Sequence, residues 1–398
     1  MKIKPRGILK ILAICLGAFV LVCLLAVAFL AVSNRNLPVA SANPERLGDN
    51  EKALLYEALY LKRTLGDAVW PGWARADIPM IAFNEKYAFL VNYPNPPPGW
   101  VKVPQNLQSG AEWEPVPGDD FFGEVYYRQR LAGEGQSPQN FAALVGDRWV
   151  GSMTTKEWSI IGLVNQLKED MPGPVKGVFP YRLFVGRMIR GSDGYISLVM
   201  HENFHAFTGM SAPARLAGAE NANAYSNSYP WDDQSLQESW KSELDLLAQG
   251  AKAAWGDGSD AEVKDLARRF LAQRDGRRTT FKLTPGLAEF EKQREWLEGL
   301  ARYVELDIWR QAYLTSGYDP IPAVLEDPDF KNYAGFESRW KDEINQFKYM
   351  VDDEGDGRFY YTGMAQAVML DRLLPGWKER ALQEGVWLED LLREATGN

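Results

Sequence analysis

Hydrophobic and polar positions change their period along the chain. Short apolar runs predict β-strands at residues 78–83, 87–91, 121–127, 149–153 and 178–185, after a helix with an apolar stripe that includes Leu54 and Leu61. Beyond Gly209 the period is helical, with long patterns at about 234–249, 260–274 and 285–315, and several more from 335 to 395. The pattern predicts an α+β fold, with a small sheet in a mixed α/β half (51–190) and a mainly helical half (191–398). The candidate functional site described below belongs to the helical half.

The first fifty residues have the pattern of a membrane anchor followed by a linker. Residues 1–10 are a basic tail, 11–32 are uncharged and apolar, and 33–50 lack periodicity. The apolar run is about 33 Å long as a helix, which matches the hydrocarbon core of a bilayer. We therefore expect a single-pass protein with a cytoplasmic N-terminus and its main part in the periplasm or at the cell surface. The alternative is cleavage after Ala42, in the small-residue sequence Ala40-Ser41-Ala42.

Charge and cysteine content narrow the functional classes. The formal net charge is −9, which argues against nucleic acid as a partner. The two cysteines, Cys15 and Cys23, both lie in the apolar run, so the exported part has no disulfide. An exported domain of this size without disulfides is typical of a bacterial envelope.

The chain has two histidines, His201 and His205, and they are four residues apart. On a helix, side chains at this spacing lie on one face and can bind the same cation. Glu202 is turned by about 100° from His201, which suits a general base better than a ligand. Ser192 or Asp193 is the expected cap of this helix, with Gly209 and Pro213 at its end. The alternative is an incidental pair of histidines in a helix.

A catalytic zinc site needs a third protein ligand, and the remaining candidates are carboxylates. Glu298 lies beside the apolar stripe of a helix that Thr284 and Pro285 begin, and Gly299 next to it allows close approach to the histidine helix. Glu238 is the rival, because it is nearer to His205 along the chain. Glu291, Glu298 and Glu305 repeat every seven residues, so they also fit a solvated face on which Arg302 pairs with Glu298.

His201-Glu202-x-x-His205, followed by Trp296-Leu297-Glu298-Gly299-Leu300-Ala301-Arg302-Tyr303, resembles the gluzincin metallopeptidases. Their third ligand is a glutamate in a segment of the type W-x-x-E-G-x-A-x-Y, and the gap between Trp and Glu is one residue shorter here. The resemblance implies that His201, His205 and Glu298 bind Zn²⁺ and that Glu202 is the general base. It also implies a zincin-like active-site helix, here at the junction of the two halves.

Catalysis at such a site needs a second donor for the oxyanion, and no histidine is left to supply it. Tyr360 and Tyr361 are the candidates. Tyr225 and Tyr229, on a loop at 221–230, are instead expected to shape the substrate pocket, and the loop itself is the candidate lid. The segment 178–185 is expected to be an edge strand, which either holds an extended peptide by backbone hydrogen bonds or is an ordinary edge strand without a ligand.

Three functions are consistent with these residues. The first is a membrane-anchored zinc metallopeptidase acting on peptides or proteins. The second is a zinc hydrolase of another amide, such as a cell-wall peptide linkage. The third is a non-catalytic envelope binding protein that retains the fold.

Overall fold

A computed structural model of the chain describes residues 5–103, 107–133, 136–353 and 355–397. The helices are α1 (Pro5–Arg35), α2 (Asp49–Val69), α3 (Lys156–Asp170), α4 (Gly173–Lys176), α5 (Tyr181–Ile189), α6 (Gly191–Ser211), α7 (Pro213–Asn221), α8 (Gln234–Trp255), α9 (Asp260–Thr280), α10 (Pro285–Arg294), α11 (Leu300–Leu314), α12 (Phe336–Gln346), α13 (Gly357–Leu373), α14 (Trp377–Ala381) and α15 (Leu388–Thr396). The strands are β1 (Met80–Phe83), β2 (Tyr87–Val91), β3 (Trp100–Lys102), β4 (Gln108–Ser109), β5 (Glu114–Pro115), β6 (Tyr127–Arg130), β7 (Phe141–Val145) and β8 (Arg148–Thr154). The predicted division into a mixed α/β N-terminal half and a helical C-terminal half is confirmed.

The described strands form one sheet in the order β4-β3-β7-β8-β1-β2-β6-β5. The sheet has eight strands and is therefore larger than the small one expected, although β4 and β5 have only two residues each. In β1, Met80 and Ala82 face the main core, whereas Ile81 and Phe83 face a second apolar cluster on the other side. This alternation follows from the two-residue period of a strand.

The predictions at 78–83, 87–91 and 149–153 correspond to β1, β2 and β8. The prediction at 121–127 was wrong, because Phe121 and Glu124 form only an isolated bridge and the strand is β6. The edge strand at 178–185 was also wrong, because Tyr181–Ile189 is helix α5. Its buried positions, Tyr181, Val185 and Ile189, recur every four residues, which is a helical period that the apolar run concealed. A substrate-binding strand at 178–185 is thereby excluded.

Helix α6 lies between the two halves and packs on β7 and β8, on α2 and on α11. It begins after Arg190, which has a positive φ of 58° and makes no side-chain cap, so neither Ser192 nor Asp193 caps it. The carboxylate of Asp193 instead accepts hydrogen bonds from the backbone of Lys331 and Tyr333. Gly209 lies in the last turn of α6, which ends at Ser211, and Pro213 begins α7. A Cβ at Gly209 would be 2.5 Å from the ring of Trp149, so the glycine lets the helix pack on β8.

Helix α1 projects from the packed part of the chain. Its stretch from Ile14 to Arg35 has 22 residues with a mean hydropathy of 3.0, and none of it is buried. A helix of this length and composition can cross a membrane. Of the predicted basic tail at 1–10, residues 1–4 lie outside the described part of the chain. The expected linker at 33–50 contacts the domain, since Leu37 and Leu47 are buried and Ser41 hydrogen-bonds to Glu85.

Candidate metal centre

His201, His205 and Glu298 come together in the core between α6 and the α10–α11 segment. The Nε2 atoms of His201 and His205 lie 3.5 and 3.4 Å from the same oxygen, Oε2 of Glu298. One possible ligand atom from each of the three residues lies within 4.8 Å of the others, and all three side chains are buried. Glu238 is exposed on α8 and is not part of this group. The structure thus brings together the three residues favoured as ligands and leaves out the rival.

Glu298 lies in a π-helical turn, Glu295–Gly299, between α10 and α11. Such a turn holds one more residue than an α-helical turn and is frequent at functional sites. The helix begins as expected, with the Thr284 hydroxyl accepting a hydrogen bond from the Leu287 amide. The role expected for Gly299 was wrong, because this residue faces α13, where its added Cβ would lie 2.4 Å from Gly363 Cα. Gly299 therefore lets α13 approach, and not the histidine helix.

Glu291, Glu298 and Glu305 are all buried, so the solvated face considered for them is excluded. Glu305 lies behind His201, with its Oε2 3.3 Å from Nδ1, although the two atoms are not aligned as a full hydrogen bond. Arg302 binds Glu305 at 2.6 and 2.7 Å and does not pair with Glu298. A carboxylate at this position orients a metal-binding imidazole and increases its basicity.

Burial and nearby charges shift the pKa values of the two histidines in opposite directions. Burial would lower the pKa of His201, but the carboxylates of Glu298 and Glu305 outweigh it and raise the pKa to about 10. Burial lowers the pKa of His205 to about 4. Burial would raise the pKa of Glu298, yet the two histidines and Arg294 hold it well below its ordinary value. A metal ion that binds here must therefore displace a proton from His201.

Glu202 and Lys102 lie close to the three candidate ligands. Glu202 is 9% exposed, and burial raises its pKa to about 8, further supported by the charges of Glu298 and Glu305. With this pKa the carboxyl holds its proton near neutral pH while no metal is bound, and the charge of a bound cation would favour the carboxylate. Lys102 on β3 is buried, and its ammonium group donates a hydrogen bond of 2.6 Å to Gln139. Burial lowers the pKa of Lys102, against the charges of Glu220, Glu202 and Glu298.

The two candidate tyrosines of α13 point to different places. The ring of Tyr360 stacks on that of His201, with centroids 5.9 Å apart. Burial and the charges of Glu298 and Asp356 raise the pKa of Tyr360 well above its ordinary value, so its hydroxyl remains a donor. Tyr361 instead packs on Phe347 and lies below the Arg302 guanidinium. Tyr360 is thus the tyrosine placed next to the metal ligands.

The segment 221–230 is packed and does not form an open lid. Ala222–Ser228 is a 3-10 helix against α10, and Tyr225 is 47% exposed. The Tyr229 hydroxyl is buried, donates to Glu291 at 2.5 Å and accepts from Trp240. Tyr229 therefore has a structural role in the core and not the role in the substrate pocket considered for it.

The separations of the three possible ligand atoms are compatible with a metal ion such as zinc. Two ligands about 2.0–2.1 Å from zinc, at a tetrahedral angle, lie roughly 3.3–3.4 Å apart. The observed separations of 3.5 and 3.4 Å between the histidine nitrogens and Glu298 are close to this value. The donor set of two imidazoles and one carboxylate also matches that of known catalytic zinc sites.

Several residues around the candidate centre were not identified from the sequence. Arg294 links Glu298, at 3.0 Å, to Glu220 on α7 and to Asp356 before α13. Arg294 precedes Glu298 by four residues, a helical spacing that could have indicated this pair. Glu220, Asp356 and Lys102 are far from Glu298 along the chain and give no local pattern, and neither does the place of Glu305 behind His201. Comparisons of the chain with protein-family models, with curated proteins and with solved structures found no match.

Proposed function

We propose that this protein is a membrane-anchored zinc metallopeptidase that hydrolyses peptide bonds outside the cytoplasm. The observation that carries the proposal is the convergence of His201, His205 and Glu298. Glu202 lies on the same helix as the two histidines. A metal-binding group with a flanking buried carboxyl has the parts needed to activate water. A purely structural metal site has no need for Glu202.

The chemistry follows from the residues that surround the centre. A bound zinc would supply Lewis acidity and lower the pKa of water to about 7. Glu202, next to His201 on α6, accepts the proton of the attacking water and then returns it to the leaving amine. Tyr360 donates its hydroxyl hydrogen to the oxyanion, because it is the described tyrosine that stacks on a ligand. Glu305 holds the imidazole of His201 in place.

The proposed location rests on α1. Its apolar stretch is long enough to cross a bilayer, and none of its residues is buried by the domain. Positive residues at its start, including Lys2, Lys4 and Arg6, favour a cytoplasmic N-terminus. The peptidase part is then extracytoplasmic.

The test uses the full chain in detergent or nanodiscs. Elemental analysis is expected to find about one zinc per chain in the unmutated protein. Glu298→Gln should lose or weaken binding, whereas Glu238→Gln, which changes an exposed residue of the same type, should retain it. Cleavage of a quenched fluorescent peptide library is then compared between the unmutated chain and Glu202→Gln.

Zinc retained in Glu202→Gln together with lost cleavage would support the peptidase. Cleavage of cell-wall peptides but not of the library would favour the hydrolase of another amide. Bound zinc without any hydrolysis by the unmutated chain would favour the binding protein. No zinc after reconstitution would refute the metal centre.

A further inference from the structure

The segment Gly173–Ile189, which contains α4 and α5, exposes apolar side chains that the domain leaves uncovered. Leu183 is 72% exposed, Met188 52%, Phe184 49% and Val175 40%. The opposite side of α5 is buried, through Tyr181, Val185 and Ile189. The exposed residues are therefore not part of an incompletely packed core. Leu183, Phe184 and Met188 lie on the exposed side of α5, whose other side holds it to the domain, and Val175 belongs to α4.

This segment is tied to the end of the membrane-spanning candidate. The Asn34 side chain donates hydrogen bonds to the backbone carbonyls of Gly177, at 3.1 Å, and Phe179, at 2.9 Å. Arg182 of α5 donates to the carbonyl of Asn36 at 2.9 Å. Because Asn34 belongs to the last turn of α1, these bonds hold α4 and α5 at the level where α1 leaves the bilayer.

Basic side chains surround the apolar face. Arg182 and Arg187 lie beside Leu183, Phe184 and Met188 on the exposed side of α5. Arg35, Lys168 and Lys176 line a groove between α1 and the segment, which also contains Glu169. Apolar residues flanked by arginine and lysine are the composition of helices that lie in the interface of anionic bilayers, where the long basic side chains reach the headgroups.

We propose that the exposed face of α4–α5 docks on the surface of the bilayer that α1 crosses. Leu183, Phe184 and Met188 enter the headgroup region, and Arg182 and Arg187 contact anionic headgroups. The inference rests on the proposed anchoring by α1 and is independent of the peptidase activity.

Docking at this face fixes the orientation of the metal centre. Helix α5 continues into α6 through Arg190 and Gly191, so the docked segment and the histidine helix are joined without a linker. His201 follows Gly191 by about 15 Å along α6. The centre is thus held near the membrane, where it meets polypeptide segments close to the bilayer surface.

The experiment measures depth in the membrane with the full chain. Cys15→Ser and Cys23→Ser remove the native thiols, and Phe184→Cys then carries an environment-sensitive fluorophore. The chain is reconstituted in vesicles of phosphatidylcholine and phosphatidylglycerol with nitroxide-labelled lipid as the quencher. Phe19→Cys, on α1 and 66% exposed, reports insertion of the anchor, and Tyr349→Cys, on a turn packed against α8 and α12 and 59% exposed, is the matched control.

We expect quenching at position 184 on the order of twofold greater than at 349, with strong quenching at 19. Arg187→Gln, which leaves the bond from Arg182 to Asn36 intact, should reduce the quenching at 184, and vesicles of phosphatidylcholine alone should do the same. Quenching at 19 with position 184 equal to 349 would overturn the docking and point to a protein partner for this face. Absence of quenching at 19 would overturn the anchor and, with it, the docking.

Discussion

The carboxylate of Glu305 should tune the metal centre through His201, and Glu305→Gln tests this role. Its Oε2 lies 3.3 Å from His201 Nδ1, and the side chain is 1% exposed. Arg302 and Arg339 bind its oxygens. Glutamine has the same size and removes the charge, so the substitution weakens the support of the imidazole without opening a cavity.

The size of the effect follows from the contact. A hydrogen bond to a charged group contributes roughly 1.5–3 kcal/mol, and loss of a carboxylate behind a metal-binding histidine weakens metal binding by about 10–100-fold. The separation of 3.3 Å without full alignment places this contact at the lower end. We expect zinc to bind about tenfold more weakly, which corresponds to roughly 1.4 kcal/mol.

Competition with a chromophoric chelator measures the zinc affinity of both forms. Glu343→Gln is the matched control, because Glu343 binds the same two arginines, at 2.6 and 3.0 Å, and is equally buried. It has no ion-pair contact with either histidine. An equal loss of affinity in Glu343→Gln would assign the effect to the arginine network, and unchanged affinity in Glu305→Gln would refute the positioning role.

Other substitutions test the surroundings of the centre. Tyr360→Phe should lower kcat for peptide hydrolysis by about 10²–10³-fold with zinc content unchanged, because it removes the proposed oxyanion donor. Gly299→Ala should lower the free energy of unfolding by about 1–3 kcal/mol in denaturant titrations, because the added Cβ would lie 2.4 Å from Gly363 Cα. Burial would raise the pKa of Glu389, but Arg274 and Arg278 lower it from 4.5 to about 2. Its stabilisation of roughly 3 kcal/mol is present above pH 4.5 and lost as the pH falls toward 2, and Glu389→Gln should remove this part of the pH dependence of unfolding.

Each of these results has a control within the chain. Tyr361→Phe alters the tyrosine that packs on Phe347, so an equal loss of kcat would refute the role of the neighbouring Tyr360. Gly276→Ala changes a helical glycine with nothing within 4 Å of the added Cβ, and it should be neutral or stabilising. An unfolding profile of Glu389→Gln that still declines with acid as in the unmutated chain would show that other carboxylates dominate.

The fold class and the candidate metal ligands could be predicted from local patterns. Helical and strand periods gave the division of the chain, and the i, i+4 spacing placed His201 and His205 on one face. The choice of Glu298 over Glu238 followed from its place beside an apolar stripe. Each of these patterns spans only a few neighbouring residues, and the structure agrees with the helical spacing of the two histidines and with the division of the chain.

The remaining features depend on contacts between distant segments. Arg302 is a local partner of Glu305, three residues away on α11, but its other partners, Arg339 on α12 and His201 on α6, are distant along the chain, and no local spacing indicates them. The run 178–185 contains the same apolar residues whether it is strand or helix, and its packing on α3 and α6 decides in favour of the helix. Gly299 was assigned to the wrong neighbour because a glycine marks close approach without indicating which element approaches.

The π-helical turn at Glu295–Gly299 has a consequence for how the centre tolerates changes in chain length. Upstream, Glu291 is fixed by Arg277 and Arg278, and downstream Glu305 is fixed by Arg302. Loss of one residue between them would restore a regular helix and rotate one side by about 100° relative to the other. Either the upstream ion pairs or the downstream ones would then lose their partners, and Glu298 would turn with one of them. The centre is therefore more vulnerable to a single deletion in this turn than to most substitutions, because the number of residues, and not only their identity, sets the direction of the third ligand.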